Sequence, residues 1–218
     1  MKRKRLLVIN PNSNAAVTSG IDASLDPLRQ SLRADLVCET TSAGPFGIES
    51  DDDVAVAAGL MVRRGGAADA DVFVIACYSD PGVARCREVT TRPVLGIQEG
   101  AARYCAERQL RFGVLALSSA SIARHVAHIQ HLGLEQFHAG ERELGISVEQ
   151  SASDPATRDK VMSAAQSLIQ EAGAQAIVLG CAGMVRHRKP AEAALGVPVI
   201  DPVQAAVELA HGMVTRAD

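Results

Sequence analysis

Tryptophan is absent from this 218-residue sequence, and aromatic residues make up only 3% of it. A core without many large rings must be built from Val, Ile, Leu and Ala. No basic excess is present: 22 Lys and Arg stand against 25 Asp and Glu, a formal net charge of −3. A basic nucleic-acid-binding surface is therefore not expected. No apolar run approaches the roughly 18 residues of a membrane span, so no membrane partner is expected. The basic start, Lys2 to Arg5, leads into too few apolar residues before Asn10-Pro11 for a secretory signal. The five cysteines are odd in number and contain no Cys-x-x-Cys, which excludes a small disulfide framework and a thioredoxin-like redox motif. Neither the glycine-rich dinucleotide fingerprint nor the P-loop pattern occurs. What is left is an ordinary globular composition, 47% hydrophobic and 22% charged, expected in the cytoplasm with reduced thiols.

Short apolar, β-branched runs recur, each closed by a turn signal. They are Leu6 to Ile9, Asp35 to Thr40, Val72 to Ala76, Val94 to Ile97, Phe112 to Leu117, Ala176 to Gly180 and Val197 to Ile200. Continuous rather than alternating apolar strands are buried on both faces. Helical patterns fall between them, at Ala15 to Leu32, Val54 to Gly65, Pro155 to Ala172 and Gln204 to Val214. Strands alternating with helices predict βαβ units and parallel sheets. Residues Gly133 to Ser153, with Gly140 and Gly145 among scattered polar residues, read as a variable connection.

The chain also repeats itself. LLVINPNSN resembles GVLALSSAS, placing Asn10 against Ala116, an offset of 116 − 10 = 106. VFVIACYSDPG resembles AIVLGCAGM, placing Cys77 against Cys181, an offset of 181 − 77 = 104. RPVLGIQEGAARY resembles VPVIDPVQAAVEL, placing Pro93 against Pro198, an offset of 198 − 93 = 105. Three strand-turn junctions at nearly constant spacing imply two similar α/β lobes related by a pseudo-twofold axis. Residues 1–100 with 203–218 are assigned to the first lobe and 101–202 to the second.

Ligands of open parallel sheets bind beyond the carboxyl ends of the strands. Cys77 and Cys181 both stand there, each before small or turn-forming residues. A helix starting soon after each would draw its thiol toward neutrality. If the lobes face one another, the two sulfurs come to opposite walls of one cleft. One thiolate can then take a proton from a carbon acid while the opposite thiol returns one to the other face. That is racemisation without a cofactor. Backbone N–H groups after the cysteines, with the hydroxyls of Ser79, Ser118 and Ser119, are candidates to stabilise the oxyanion. The other cysteines read as packing residues: Cys38 in a strand, Cys86 and Cys105 in helical patterns. Asp51 to Asp53 read as a solvated helix start. His125, His128 and His131 spread around a helix rather than along one face, so they read as surface or partly buried residues and not as a metal site. His187, between Arg186 and Arg188, reads as solvated.

VINPNSN with Thr18, GPFGIES, ACYSDPG, VLGIQEGA, and VLGCAGM with VPVID together resemble the hydantoin and allantoin racemases of the Asp/Glu racemase superfamily. The resemblance runs from about Leu6 to Val214. It implies two flavodoxin-like lobes with the active site between them. It further implies a two-base mechanism with Cys77 and Cys181 as the acid–base pair, no cofactor and no metal, and a small-molecule substrate such as a 5-substituted hydantoin or allantoin. Asn10, Ser42, Pro45, Ile48, Ser79, Ser118, Ser119 and Gly183 would line its pocket. Glutamate and aspartate racemases resemble Cys-Asn-Thr and Cys-Thr-His patterns, whereas this chain has Cys77-Tyr78-Ser79 and Cys181-Ala182-Gly183. Arylmalonate decarboxylases lack the first cysteine. Maleate isomerases have both, so cis–trans isomerisation of a small dicarboxylate through a covalent cysteine adduct stays open as an alternative, as does a non-catalytic small-molecule binder. Two departures bear on the substrate: Ser118-Ser119 stands where the family often has a Thr pair, and Tyr78 where it usually has Phe. Self-association into a homo-oligomer is expected of an α/β enzyme of this size.

Overall fold

The computed structural model describes residues 3–32, 34–67 and 69–215. In the first lobe, β1 (Arg5–Asn10), β2 (Asp35–Thr40), β3 (Val72–Ile75) and β4 (Val94–Gly96) form a parallel sheet in the order β2-β1-β3-β4. In the second, β5 (Phe112–Ala116), β6 (His138–Glu143), β7 (Ala176–Leu179) and β8 (Val199–Ile200) form a parallel sheet in the order β6-β5-β7-β8. The two orders are the same, which is the α/β architecture of paired flavodoxin-like lobes. The central strands are fully buried, consistent with their unbroken apolar runs.

The helices α1 (Ala15–Ser24), α2 (Asp26–Ser31), α3 (Asp51–Ala67), α4 (Val83–Val89) and α5 (Ile97–Glu107) follow the strands of the first lobe. The helices α6 (Ser119–His131), α7 (Val148–Ser153), α8 (Thr157–Ala172), α9 (Arg188–Leu195) and α10 (Pro202–Thr215) belong to the later sequence. Two expectations need correction. The pattern from Ala15 to Leu32 is not one helix: the chain breaks at Leu25, and Pro27 sits in the first turn of α2, where its missing N–H is harmless. The stretch Gly133 to Ser153 is not an irregular connection. It holds the edge strand β6 and the short helix α7, the latter fixed by a capping box between Ser147 and Gln150.

One hydrophobic core runs through both lobes and joins Leu6, Val72 and Leu95 to Phe112, Ile129 and Val178. Helix α10, although it follows β8, packs on α5 and across β1, β3 and β4. Helices α5 and α10 cross where Gly100 meets Ala206. A Cβ on Gly100 would lie 2.5 Å from the Ala206 Cβ, so the crossing depends on the missing side chain. The repeat in this segment has an offset of 198 − 93 = 105, which aligns Gly100 with Ala205, the neighbour of Ala206. The crossing therefore stands close to where a pseudo-twofold axis would pass. The sequence division between residues 100 and 101 falls inside α5.

Candidate active site

Each cysteine follows a buried strand end by the same backbone device. The Ala76 N–H donates to the Ile9 carbonyl at 2.8 Å, and the Gly180 N–H donates to the Leu115 carbonyl at 3.0 Å. The chain then turns. The Asp80 N–H donates to the Cys77 carbonyl at 3.0 Å, and the Met184 N–H to the Cys181 carbonyl at 3.1 Å. In both turns the amide two residues after the cysteine donates to its sulfur: Ser79 to Cys77, and Gly183 to Cys181 at 3.4 Å. Both cysteines are half-buried, and both line one cleft between the lobes that encloses about 620 Å³ of atom-free space, part of it open to solvent.

The expected helix effect on the thiols is not what the surroundings produce. Helix α4 begins only at Val83, and Cys181 opens a short 3₁₀ turn. Burial dominates instead. It pushes Cys77 up to about 12, against the pull of the Ser79 N–H, with the neighbouring Cys181 adding to the rise. Burial also pushes Cys181 up, opposed by the Gly183 N–H and the Ser151 hydroxyl. The Ser151 Oγ lies 3.7 Å from the Cys181 sulfur and donates to the Val148 carbonyl at 2.7 Å.

Of the residues expected around the pocket, Ile48, Ser79 and Ser118 line the cleft with the two cysteines. The others stand elsewhere. Asn10 is buried behind the wall, where its Nδ2 donates to the Asn12 side chain, the Asn14 carbonyl and the Thr18 hydroxyl. It shapes the loop that brings Asn12 to the cleft. Ser42 is exposed in the turn after β2, and the Pro45 carbonyl accepts the Ser13 N–H. Ser119 is exposed on the first turn of α6, its N–H donating to Glu143. Gly183 serves through its backbone amide at the Cys181 sulfur.

The cleft also has a wall that the histidine spacing conceals. Ser121, Arg124 and His125 line it from one face of α6, and His128 continues that face toward the first lobe. The spacing is i, i+3, i+4, i+7, a helix stripe. Each basic member meets an acid. Arg124 Nη1 donates to Asp51 at 2.5 Å, His125 Nδ1 lies 2.9 Å from Glu141, and His128 Nε2 lies 3.3 Å from Asp80. His125 is therefore not a surface residue: it is 2% exposed and meets the edge of Tyr78, with ring centroids 4.9 Å apart. His187 is not solvated either. It is buried, accepts from the Arg186 Nε at 3.2 Å and donates to the Ser151 backbone, and burial lowers its pKa. Among the described residues, no three His, Cys, Asp or Glu side chains converge as a metal site. None of the helices among those residues is long and apolar enough to cross a membrane.

Residues 6–210 match the model of the Asp/Glu/hydantoin racemase family. The chain is 33% identical to a hydantoin racemase from Paenarthrobacter aurescens, over 96% of this chain and 91% of that protein. The fold matches an allantoin racemase from Klebsiella pneumoniae with a TM-score of 0.89 at 29% identity, covering 98% of this chain and 89% of the other. It matches the allantoin racemase of Pseudomonas fluorescens with a TM-score of 0.88 at 27% identity, covering 98% and 92%. With a match over nearly its whole length, this chain belongs to the Asp/Glu/hydantoin racemase family and is an enzyme of the racemase type.

Proposed function

We propose that the protein racemises a 5-substituted hydantoin or allantoin by proton transfer between Cys77 and Cys181, without a cofactor. The observation that carries this reading is the pair of sulfurs lining one cleft, each receiving the amide of the residue two places on. The ring proton of such a substrate lies beside a carbonyl, so removing it spreads charge onto an oxygen. No ammonium group has to be neutralised.

The protonation logic follows from the surroundings. Ionisation of either thiol raises the cost of ionising the other, as the influence of Cys181 on Cys77 shows. The pair titrates as a unit, and its working state holds one proton between two sulfurs. The thiolate takes the substrate proton on one face, and the opposite thiol gives its proton to the other. The carbanion keeps its charge on the ring oxygen while both steps pass. Ser79 and Ser118, which also line the cleft, place hydroxyls within the same space. After each turnover the thiolate and thiol have exchanged places, which is what interconverting two enantiomers requires.

The test is the loss of optical rotation by an enantiopure 5-substituted hydantoin or allantoin, with uptake of solvent deuterium. Cys77→Ser and Cys181→Ser should each lower racemisation by about a thousandfold or more. Full activity in either variant removes the two-base mechanism. A stable thioether adduct with a maleate-like acid, without racemisation of any hydantoin, would favour addition chemistry instead.

A further inference from the structure

The charged wall of the cleft points to the kind of substituent its substrate carries. A hydantoin ring is neutral and needs no cation beside it. Yet Arg124 projects from the second turn of α6 into the lining of the cleft, with a side chain only 25% exposed. Its Nη1 is held by Asp51 at 2.5 Å and by the Ala120 carbonyl at 3.3 Å. Its Nε is buried and has no hydrogen-bond partner among the described residues. A buried guanidinium nitrogen without an acceptor is costly, and proteins rarely tolerate one without a use.

The three basic side chains of the α6 stripe differ in how they are satisfied. His125 is held by Glu141, whose side chain is fully buried, and His128 by Asp80, which is nearly so. The acid partner of Arg124, by contrast, is 83% exposed at the start of α3, where water screens the pair. Arg124 is thus the basic residue of the stripe that combines an exposed acid partner with a place in the lining of the cleft.

The other charged residue of the lining opposes it in place as well as sign. Glu49 comes from the first lobe, and its Oε1 accepts the Val148 N–H at 2.8 Å. Its charge acts on Cys181, whereas that of Arg124 acts on Cys77. The lining therefore carries one cation, Arg124 on the second lobe, and one anion, Glu49 on the first. An anionic group on the substrate is drawn to Arg124 and repelled from Glu49.

We propose that Arg124 recognises a carboxylate on the 5-substituent, so that the preferred substrates are hydantoins bearing a short carboxyalkyl side chain. This deepens the racemase reading of the same cleft and rests on it. A guanidinium with a free edge suits a carboxylate, because the hydrogen bonds are charge-assisted and directional.

The experiment compares enantiopure 5-carboxyethylhydantoin, its carboxamide isostere and 5-isobutylhydantoin. Racemisation is followed by polarimetry in the whole protein and in Arg124→Gln, Arg124→Lys and Asp51→Asn. The carboxylate should exceed the carboxamide in kcat/KM by at least about tenfold in the unaltered protein. Arg124→Gln should cut that ratio to near unity, chiefly through KM, and Arg124→Lys should restore part of it. Asp51→Asn, which frees the guanidinium, should keep or raise it. Thermal unfolding of each variant separates a misfolded protein from a specificity change. An equal loss on all three substrates in a folded Arg124→Gln would overturn the proposal and assign the residue to the common ring. Preference for the isobutyl substrate in the unaltered protein would overturn it too, while leaving racemisation intact. No turnover of any of the three would remove the racemase reading and this inference with it.

Discussion

The two cysteine turns share a backbone and differ in what surrounds it. In the first lobe, Asp80 stands three residues after Cys77 with φ of 45°, in the left-handed region that a non-glycine residue seldom adopts. Its carboxylate accepts the Gln98 N–H at 2.9 Å and the Glu99 N–H at 2.8 Å, capping α5. Gly96 makes room for it: a Cβ there would lie 2.0 Å from the carboxyl carbon. In the second lobe the residue three after the cysteine is Met184, and the cap of α10 comes from Asp201, which accepts the Val203 N–H at 2.9 Å. The helix after the fourth strand is capped by an acid in both lobes. In one the acid sits in the cysteine loop, and in the other it directly follows the fourth strand. Duplicated backbones thus preserve hydrogen-bond roles while moving the residues that fill them. The displaced carboxylate leaves Cys77 beside an anion, whereas Cys181 has the Ser151 hydroxyl.

This difference can be broken experimentally. The largest effect is expected on stability. Asp80→Ala removes the partner of two buried amides and of His128, and should cost about 2 kcal/mol, against about 1 kcal/mol for Asp201→Ala. Urea unfolding of the two variants checks this, and equal losses would show the two caps to be energetically alike.

Next in size is thiol reactivity. The Ser151 hydroxyl can turn from the Val148 carbonyl to a Cys181 thiolate, so Cys181 should be alkylated by iodoacetamide before Cys77. Ser151→Ala should slow labelling of Cys181 by about tenfold and leave Cys77 nearly unchanged. Peptide mapping of the labelled protein reads both sites, and faster labelling of Cys77 would reverse the assignment.

The smallest effect is a pH dependence of the ion pair between Asp80 in the first lobe and His128 in the second. The hydrogen bond to Asp80 raises the His128 pKa. The stability from this pair is fully present below the ordinary histidine value and is lost as pH rises through the raised one. The loss should be about 0.5–1 kcal/mol across that window, measured by unfolding on either side of it, and His128→Gln should flatten the curve.

Much of this was legible in the sequence because the signals were apolar. The central strands appear as unbroken Val, Ile and Leu runs, and the offset between Cys77 and Cys181 announces the duplication. The edge strand β6 escaped because HAGERE has no apolar run: its one deeply buried charged side chain, Glu141, faces His125 and His138 rather than hydrocarbon. Helix α7 was too short for a period, although Ser147 and Gln150 spell a capping box that marks it, and Ser151 was hidden with it. The α6 wall is hidden in the sequence because its three histidines, at spacing three, spread around the helix, whereas Ser121, Arg124, His125 and His128 form the stripe. Asn10 does not line the cleft as the resemblance implies: its amide holds the loop together, and Asn12 is the residue that reaches the cleft.

The crossing of α5 and α10 makes the first lobe depend on the end of the chain. Because α10 covers β1, β3 and β4 while its sequence follows β8, a chain cut ahead of it would strip the roof from the opposite half of the molecule. The first lobe then closes its interior only with a helix drawn from the far end of the chain.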